Sequence, residues 1–367
     1  MPRAKNKKEL LQIISEKEKR IELLEDIIKA QERSITWKLW RVFTNLIDRF
    51  LPLNTFRRSV YDGTIETIQK LVNGEISILQ KIFYKNSKIT IKIPSLISTK
   101  EEVGSFCPTF PRFLKPKVSI IIATYNNVRF THQCLDSILK HTRLPYEIII
   151  VDNNSTDETK NFLSKIGEIT TILNETNLGF GNACNIGAKV AKAPYLLFLN
   201  NDTIVTPNWL PPLAQIMDNI KNCGSVGGKI IAFNGLLQEA GGIISKNGHC
   251  KVRGRGKDPN HQEFSYFREV DHCTAACLLV RKKVFLKVNG FDSKYSPAYY
   301  EDVDLSMAIK EVGYKIYYQP KSVVYHNQHT SISKRSITYL MIRNMMRFKR
   351  KWKMRLKKMN RYEYSKS

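Results

Sequence analysis

From Val118 onward the chain alternates short β-branched runs with helical periodicities, and this alternation restricts the possible folds more than any other feature. Val118 to Ala123 reads as a strand, Val128 to Lys140 as a helix, Tyr146 to Val151 as a strand and Thr156 to Ile166 as a helix. A strand near Ile169 to Leu173, a helix from Phe180 to Ala191 and a strand at Tyr195 to Leu199 continue the series. Strands separated by helices of about 10–13 residues need crossover connections, which give a mostly parallel sheet with helices on both faces. In such an α/β sheet, ligands bind beyond the carboxyl ends of the strands, so the residues that follow each strand are the informative ones.

Three strand ends release short polar side chains: Thr124-Tyr125-Asn126-Asn127, Asp152-Asn153-Asn154-Ser155-Thr156-Asp157 and Asn200-Asn201-Asp202. Any one of them is explained by helix capping or turn chemistry. Three on one rim point to a ligand pocket. Neither G-x-G-x-x-G nor G-x-x-x-x-G-K-[ST] occurs at these turns, which excludes a dinucleotide fingerprint and a P-loop. The run from Asn177 to Gly187 contains Gly179 and Asn182; its glycines allow close backbone approach, and a helix beginning near Phe180 would face an anion.

Farther on, Glu301-Asp302 opens a helical segment. Capping and the helix dipole account for such a pair. The alternative is a general base, an Asp whose like-charged neighbour and partial burial favour proton uptake. His326 follows the strand-like Val323-Val324-Tyr325, and with Asp202 it forms a candidate donor pair for Mn²⁺ or Mg²⁺ on a diphosphate. Cys273 and Cys277, four apart beside Asp271 and His272, lie in a strand-like context that needs no zinc.

Taken together, these segments resemble family 2 glycosyltransferases of the GT-A fold, with a Rossmann-like sheet. The chain is similar in particular to bacterial rhamnosyltransferase-like enzymes that build O-antigen and other surface polysaccharides. The matching elements are Val118 to Asn126, Val151 to Asp157, Asn177 to Gly187, Leu199 to Asp202, Val270 to Val280, Gly290 to Leu305 and His326 to Ser331, in order, over about two-thirds of the chain. The resemblance implies that Thr124 and Asp152 contact the base and ribose of a sugar nucleotide, and that Asn177 and Gly179 line its pocket. Asn126, Asn154, Asn182 and Asn201 complete the expected nucleotide-sugar contacts. It further implies that Asp202 binds the divalent cation, that Asp302 beside Glu301 is the catalytic base, and that His326 assists the metal or diphosphate. Asp271 is expected on the acceptor side, and Arg343, next to Asn344, near the diphosphate or acceptor. The first Asp of the family's Asp-x-Asp is Asn200 here, which removes one anionic ligand; Asp202, Asp302 and His326 remain. The implied reaction is inverting transfer from a UDP- or dTDP-sugar to a saccharide acceptor, expected to be lipid-linked, in cell-surface polysaccharide synthesis.

The remainder divides into residues 1–33, 34–115 and 334–367 around a transferase domain at 116–333. Ile14, Ile21 and Ile28 are seven apart, with Leu10 and Leu24 near the other seam position, so the first segment is either a short coiled coil that would make a homo-oligomer or a solvated helix. Trp37, Trp40, Phe43, Ile47 and Phe50 beside Lys38, Arg41 and Arg49 fit an interfacial membrane helix or a helix docked on the domain. Pro108 to Pro116 reads as a linker. The 367 residues carry 59 Lys and Arg against 33 Asp and Glu, a formal charge of +26, and the tail from Lys334 holds 13 of the basic residues and one acidic one. Met345, Phe348, Trp352, Leu356 and Met359 recur at helical spacing there, an apolar stripe edged by cations that suits anionic lipid better than base readout. Nucleic acid is thereby disfavoured, although RNA binding by the tail or a non-catalytic scaffold are the rival readings. Seven cysteines without a C-x-x-C pair argue against a disulfide framework. With no secretory leader and no apolar run of about 18 residues, the expected location is the cytoplasm, peripheral on the inner membrane.

Overall fold

The structure is a computed structural model that describes residues 100–327 and 334–358. The coiled-coil and interfacial-helix readings at residues 10–50, and Met359, lie outside the described residues. Along the chain run α1 (Lys100–Ser105), β1 (Val118–Thr124), α2 (Val128–His141), β2 (Tyr146–Asp152), α3 (Thr159–Leu163), β3 (Thr170–Leu173), α4 (Phe180–Val190), β4 (Tyr195–Asn200) and β5 (Thr203–Val205). Then come α5 (Leu210–Asn219), β6 (Cys223–Ala232), β7 (Leu237–Glu239), β8 (Gly242–Ile244), β9 (Cys250–Val252), β10 (Arg268–Val270), β11 (Cys277–Arg281), α6 (Lys282–Lys287), α7 (Glu301–Glu311), β12 (Lys315–His326), α8 (Lys334–Lys351) and α9 (Lys353–Lys358).

The main sheet has the order β10-β12-β6-β11-β4-β1-β2-β3, with β5 on β12 and β7 on β6. β1 is parallel to both β2 and β4, and β2 to β3, so the four strands read from the periodicity form the parallel half. The other half is mixed, because β11 runs antiparallel to β4 and β6 while β12 and β6 are parallel.

Both faces of this sheet are buried, and successive side chains enter different layers. Ile120, Ile122, Ile148, Ile150, Leu197 and Leu199 pack with Leu135 and Ile138 of α2 and Leu213 of α5. Ile121, Ile149, Val151, Leu196 and Phe198 pack with Ala183 and Ala188 of α4 and with Leu305 of α7. Gly187 lets α4 lie close to the sheet, since a Cβ there would meet Ile121 Cγ2 at 2.7 Å. A third cluster joins Tyr295, Tyr300, Val303 and Met307 to Phe348 and Leu356 of the C-terminal helices.

Two expectations are corrected. The Pro108 to Pro116 stretch is fixed to the domain: Phe110 is buried, its N–H donates to the Gly167 carbonyl at 3.1 Å, and Gly167 N–H donates back to Pro108 at 2.9 Å. The tail stripe does not face lipid. Phe348 and Leu356 are buried and Met345 and Trp352 pack against them, because burial against α7 removes these side chains from water as a bilayer would. The tail is also two helices, divided at Trp352.

Candidate active site

The strand order turns back at β1 and β4, and the ends of these strands carry the predicted polar loops. Asn126 and Asn127 after β1 have φ of 56° and 61°, a left-handed backbone that Asn tolerates. The Asn126 side-chain oxygen accepts the Thr156 N–H at 2.7 Å, and the Asn126 N–H donates to Ser155 Oγ at 2.7 Å, so the first two loops are tied together. Asp152 is fully buried and accepts the Ser155 N–H at 2.9 Å and the Ser155 hydroxyl. Asn154 donates to the Glu175 carbonyl at 2.8 Å. Asn201 donates to Thr124 Oγ1 at 3.2 Å and Thr131 Oγ1 at 3.1 Å, which joins the β4 loop to β1.

The glycine loop joins the same rim. Asn177 Oδ1 accepts the Gly179 N–H at 2.9 Å, Asn153 Nδ2 donates to the Gly179 carbonyl at 3.4 Å and Asn182 Nδ2 donates to Leu178 at 2.8 Å. Gly179 has φ +80°, and a Cβ on it would stand 2.7 Å from the Pro297 carbonyl oxygen. Ser296 Oγ donates to the Leu178 carbonyl at 3.1 Å, so the expected nucleotide loop rests on the loop that leads to Glu301-Asp302.

Within the acidic pair the two carboxylates differ. Glu301 is buried, with Oε2 lacking a hydrogen-bond partner, and burial together with the adjacent Asp302 charge holds its carboxyl well above the ordinary range. Asp302 is half-buried, and its Oδ2 accepts the Ala275 N–H at 3.2 Å. The Ala276 carbonyl accepts the Asn200 N–H at 3.1 Å. A single turn, Thr274 to Ala276, thus brings α7 and the end of β4 together.

That turn has a further support that the sequence did not reveal. Thr274 N–H donates to Glu239 Oε1 at 2.7 Å. Burial and the nearby Asp302 push the Glu239 carboxyl up, against the opposing effects of His272 and the Thr274 hydrogen bond. His272 is buried with Nδ1 unpartnered. Burial opposes its charge, but Cys250, Asp302 and Glu239 hold the imidazole well above its ordinary value. Glu239 lies in a three-residue strand without periodicity, so no pattern marks it.

Asp202 Oδ1 is 3.1 Å from His326 Nε2. Asn200 Nδ2 is 3.0 Å from the same nitrogen, and the other ring nitrogen faces Gln238, with Nε2 at 2.9 Å and Oε1 at 3.2 Å. Among the described residues no group of three or more His, Cys, Asp or Glu is arranged as a metal cluster, and all seven cysteines are free.

Asp271 and Arg343 engage elsewhere. Asp271 pairs with Lys310 and accepts the Ile244 N–H at 3.0 Å. Arg343 donates to the Ser296 carbonyl at 2.6 Å and to Asn344 Oδ1 at 3.0 Å. Asn344 is fully buried, and its Nδ2 lies 2.8, 2.9 and 2.8 Å from the carbonyls of Tyr295, Ala298 and Tyr299. The loop before the acidic pair is therefore held from α8.

Known proteins share this architecture. The O-antigen biosynthesis protein RfbC of Myxococcus xanthus is 30% identical over 233 residues, 60% of this chain and 18% of that protein. An uncharacterized glycosyltransferase of Rickettsia prowazekii is 29% identical over 194 residues, 52% of this chain and 57% of its own. The chain thus spans less than two-thirds of these relatives. Among solved structures, GalNAc-T7 with UDP, GalNAc and Mn²⁺ superposes with a TM-score of 0.54 at 18% identity, covering 67% of this chain and 50% of that one, a likeness of GT-A-type fold. The family model for glycosyl transferase family 2 matches residues 119–288, the stretch that supplies every strand of the main sheet except β12, and this part of the chain belongs to that family.

Proposed function

We propose that the chain is an inverting glycosyltransferase that moves a hexosyl group from a nucleoside-diphosphate sugar, UDP- or dTDP-linked, to a saccharide acceptor in cell-surface polysaccharide synthesis. The observation that carries this reading is the difference within the acidic pair: Asp302 is half-buried, with its Oδ2 on the Ala275 N–H, while Glu301 is buried. Asp302 takes the proton of the acceptor hydroxyl, whose oxygen then attacks the anomeric carbon on the face opposite the departing diphosphate. The Ala275 N–H orients Asp302 Oδ2 for this task. Glu301 acts through Asp302, burial and the neighbouring charge raising its carboxyl and so favouring the protonated form beside the base.

The donor set fits a divalent cation. Asp202 Oδ1 and His326 Nε2, 3.1 Å apart, are the carboxylate and imidazole that would hold it. Mn²⁺ or Mg²⁺ bound there would offset the charge developing on the leaving diphosphate. Gln238 would take the Nδ1 proton of His326 on Oε1 and so leave Nε2 free to bind. Thr124, Asp152, Asn177 and Gly179 would line the nucleotide pocket, with Asn126, Asn154, Asn182 and Asn201 fixing its loops. Asp271, with Lys310 and the Ile244 N–H on its carboxylate, would shape the acceptor wall.

The name of the Myxococcus relative supports a surface-polysaccharide acceptor, and the UDP and Mn²⁺ of GalNAc-T7 support the donor and metal classes. No described helix is long and apolar enough to cross a membrane. The reading includes peripheral work on the cytoplasmic face of the membrane with a lipid-linked acceptor, and self-association through the first 33 residues. A donor screen by nucleoside-diphosphate release with Mn²⁺, over UDP-, dTDP- and GDP-sugars, tests it. Release from one donor class is expected; release from none, with or without acceptor, would contradict it.

A further inference from the structure

The C-terminal helices have two faces, and the domain uses one. Leu340, Asn344, Phe348 and Leu356 point inward and are buried. On the other side Tyr339, Ile342 and Met346 recur at helical spacing with exposures of 65%, 52% and 60%, and Met354 follows at 67%. Continuing that outer surface are Lys349, Arg350, Lys353, Lys357 and Lys358, all exposed and without an ion-pair partner among the described residues. Residues 334–358 contain no Asp or Glu.

Where α8 meets the turn at Ser293–Tyr295, a cavity of about 490 Å³ is lined by Asp292, Lys294, Tyr295, Arg347, Arg350 and Lys351. Its carboxylate is already satisfied, since Lys351 Nζ lies 2.9 Å from Asp292 Oδ2 and 2.7 Å from Asp304 Oδ2. Arg347 donates to the Lys294 carbonyl. Lys294, whose charge reaches Asp292 without a direct ion pair, and Arg350 form no salt bridge among the described residues, beside a volume that accommodates a phosphate group.

We propose that the outer face of α8 and α9 docks the protein on an anionic phospholipid surface, with Tyr339, Ile342 and Met346 at the acyl boundary and a headgroup phosphate in the cavity of Lys294, Arg347 and Arg350. This deepens the reading of peripheral membrane contact and rests on it, but not on the transferase chemistry. Charge complementarity selects the occupant: helices with unpaired cations and no acid of their own, beside a cavity whose one carboxylate, Asp292, is paired with Lys351, match anionic headgroups, each nearby basic residue contributing to the attraction. Among the described residues of this face the exposed apolar side chains are mostly aliphatic, which suits the acyl boundary and offers only Tyr339 as a stacking platform for bases. Sequence periodicity singled out the opposite stripe for lipid; the structure spends that stripe on the core and leaves this one open.

The test is co-sedimentation of the full chain with phosphatidylcholine vesicles and with vesicles that also contain phosphatidylglycerol. Wild type is expected on the anionic vesicles and not on the neutral ones. The variant Arg350→Gln/Lys353→Gln/Lys357→Gln should bind about a hundredfold more weakly, roughly fivefold for each charge. Ile342→Ser/Met346→Ser should weaken binding about tenfold, whereas Lys283→Gln/Lys287→Gln, on exposed residues of α6, should behave as wild type. Donor hydrolysis should stay unchanged in all three, which shows that they fold. If wild type fails to bind anionic vesicles, the lipid reading is wrong whatever the enzyme does. If it binds and the α8 and α9 variants match the α6 control, another surface does the docking. Release by inorganic phosphate at the lipid's concentration, or retention on RNA alone, would also overturn the proposal.

Discussion

Asn344 Nδ2 lies 2.8 Å from the carbonyl oxygen of Tyr299, three residues before Asp302. Its amide also reaches Tyr295 and Ala298, and Tyr299 and Tyr300 both have positive φ, 77° and 72°, a backbone that persists only when its surroundings hold it. Asn344→Ala strands these carbonyls and should cost roughly 2 kcal/mol of stability. Transfer should fall at least tenfold through kcat with little change in donor KM, measured by steady-state kinetics beside a melting curve. An unchanged kcat would mean that the loop holds itself.

Gly179→Ala should act on the same loop from the nucleotide side. A Cβ 2.7 Å from the Pro297 carbonyl meets backbone, which cannot rotate away, and φ +80° adds strain for Ala. We expect a loss of about 2 kcal/mol or more and weaker binding of the nucleoside diphosphate by isothermal titration.

Glu301 gives the domain a pH dependence of known sign. Its carboxyl is raised above its ordinary 4.5 by burial and by Asp302, so the folded state holds this proton to higher pH than the unfolded chain does. The contribution is fully present below about 4.5 and is lost as pH rises through the raised value, at up to roughly 1.4 kcal/mol per pH unit. Glu239 and His272, also raised, act in the same direction. Glu301→Gln should flatten the fall in melting temperature above the carboxylate range and make the protein more stable than wild type in mild alkali. An unaltered slope would place the pH dependence elsewhere.

Much of this was legible in the residues. β1, β2 and β4 are apolar runs because both faces of the sheet are covered, and the turns after them carry Asn and Asp because those loops need left-handed backbone and side-chain acceptors, as at Asn126. Glu239 and Gln238 carry no mark in the sequence because β7 has only three residues and the partners of their side chains, Thr274 and His326, lie 35 and 88 residues away. Met345, Phe348, Trp352 and Leu356 read as a lipid-facing stripe in the sequence because a helical period marks which residues share a face, not what covers them.

His326 and Gln238 yield a metal prediction. His326→Ala removes one of the two close donors, and Gln238→Leu removes the amide that would fix the ring's tautomer. Mn²⁺ affinity in the presence of UDP, followed by the free-ion electron paramagnetic resonance signal, should fall about 10–100-fold for Gln238→Leu and further for His326→Ala. Affinity equal to wild type in both would remove His326 from the metal site.

The base assignment is tested most directly by Asp302→Asn, which preserves shape and the acceptor oxygen for Ala275 while removing the proton acceptor. Sugar transfer, measured by product formation at saturating donor and acceptor, should drop by roughly 10²–10⁴-fold while nucleoside-diphosphate affinity stays within about twofold of wild type. Transfer at the wild-type rate by Asp302→Asn would contradict the account.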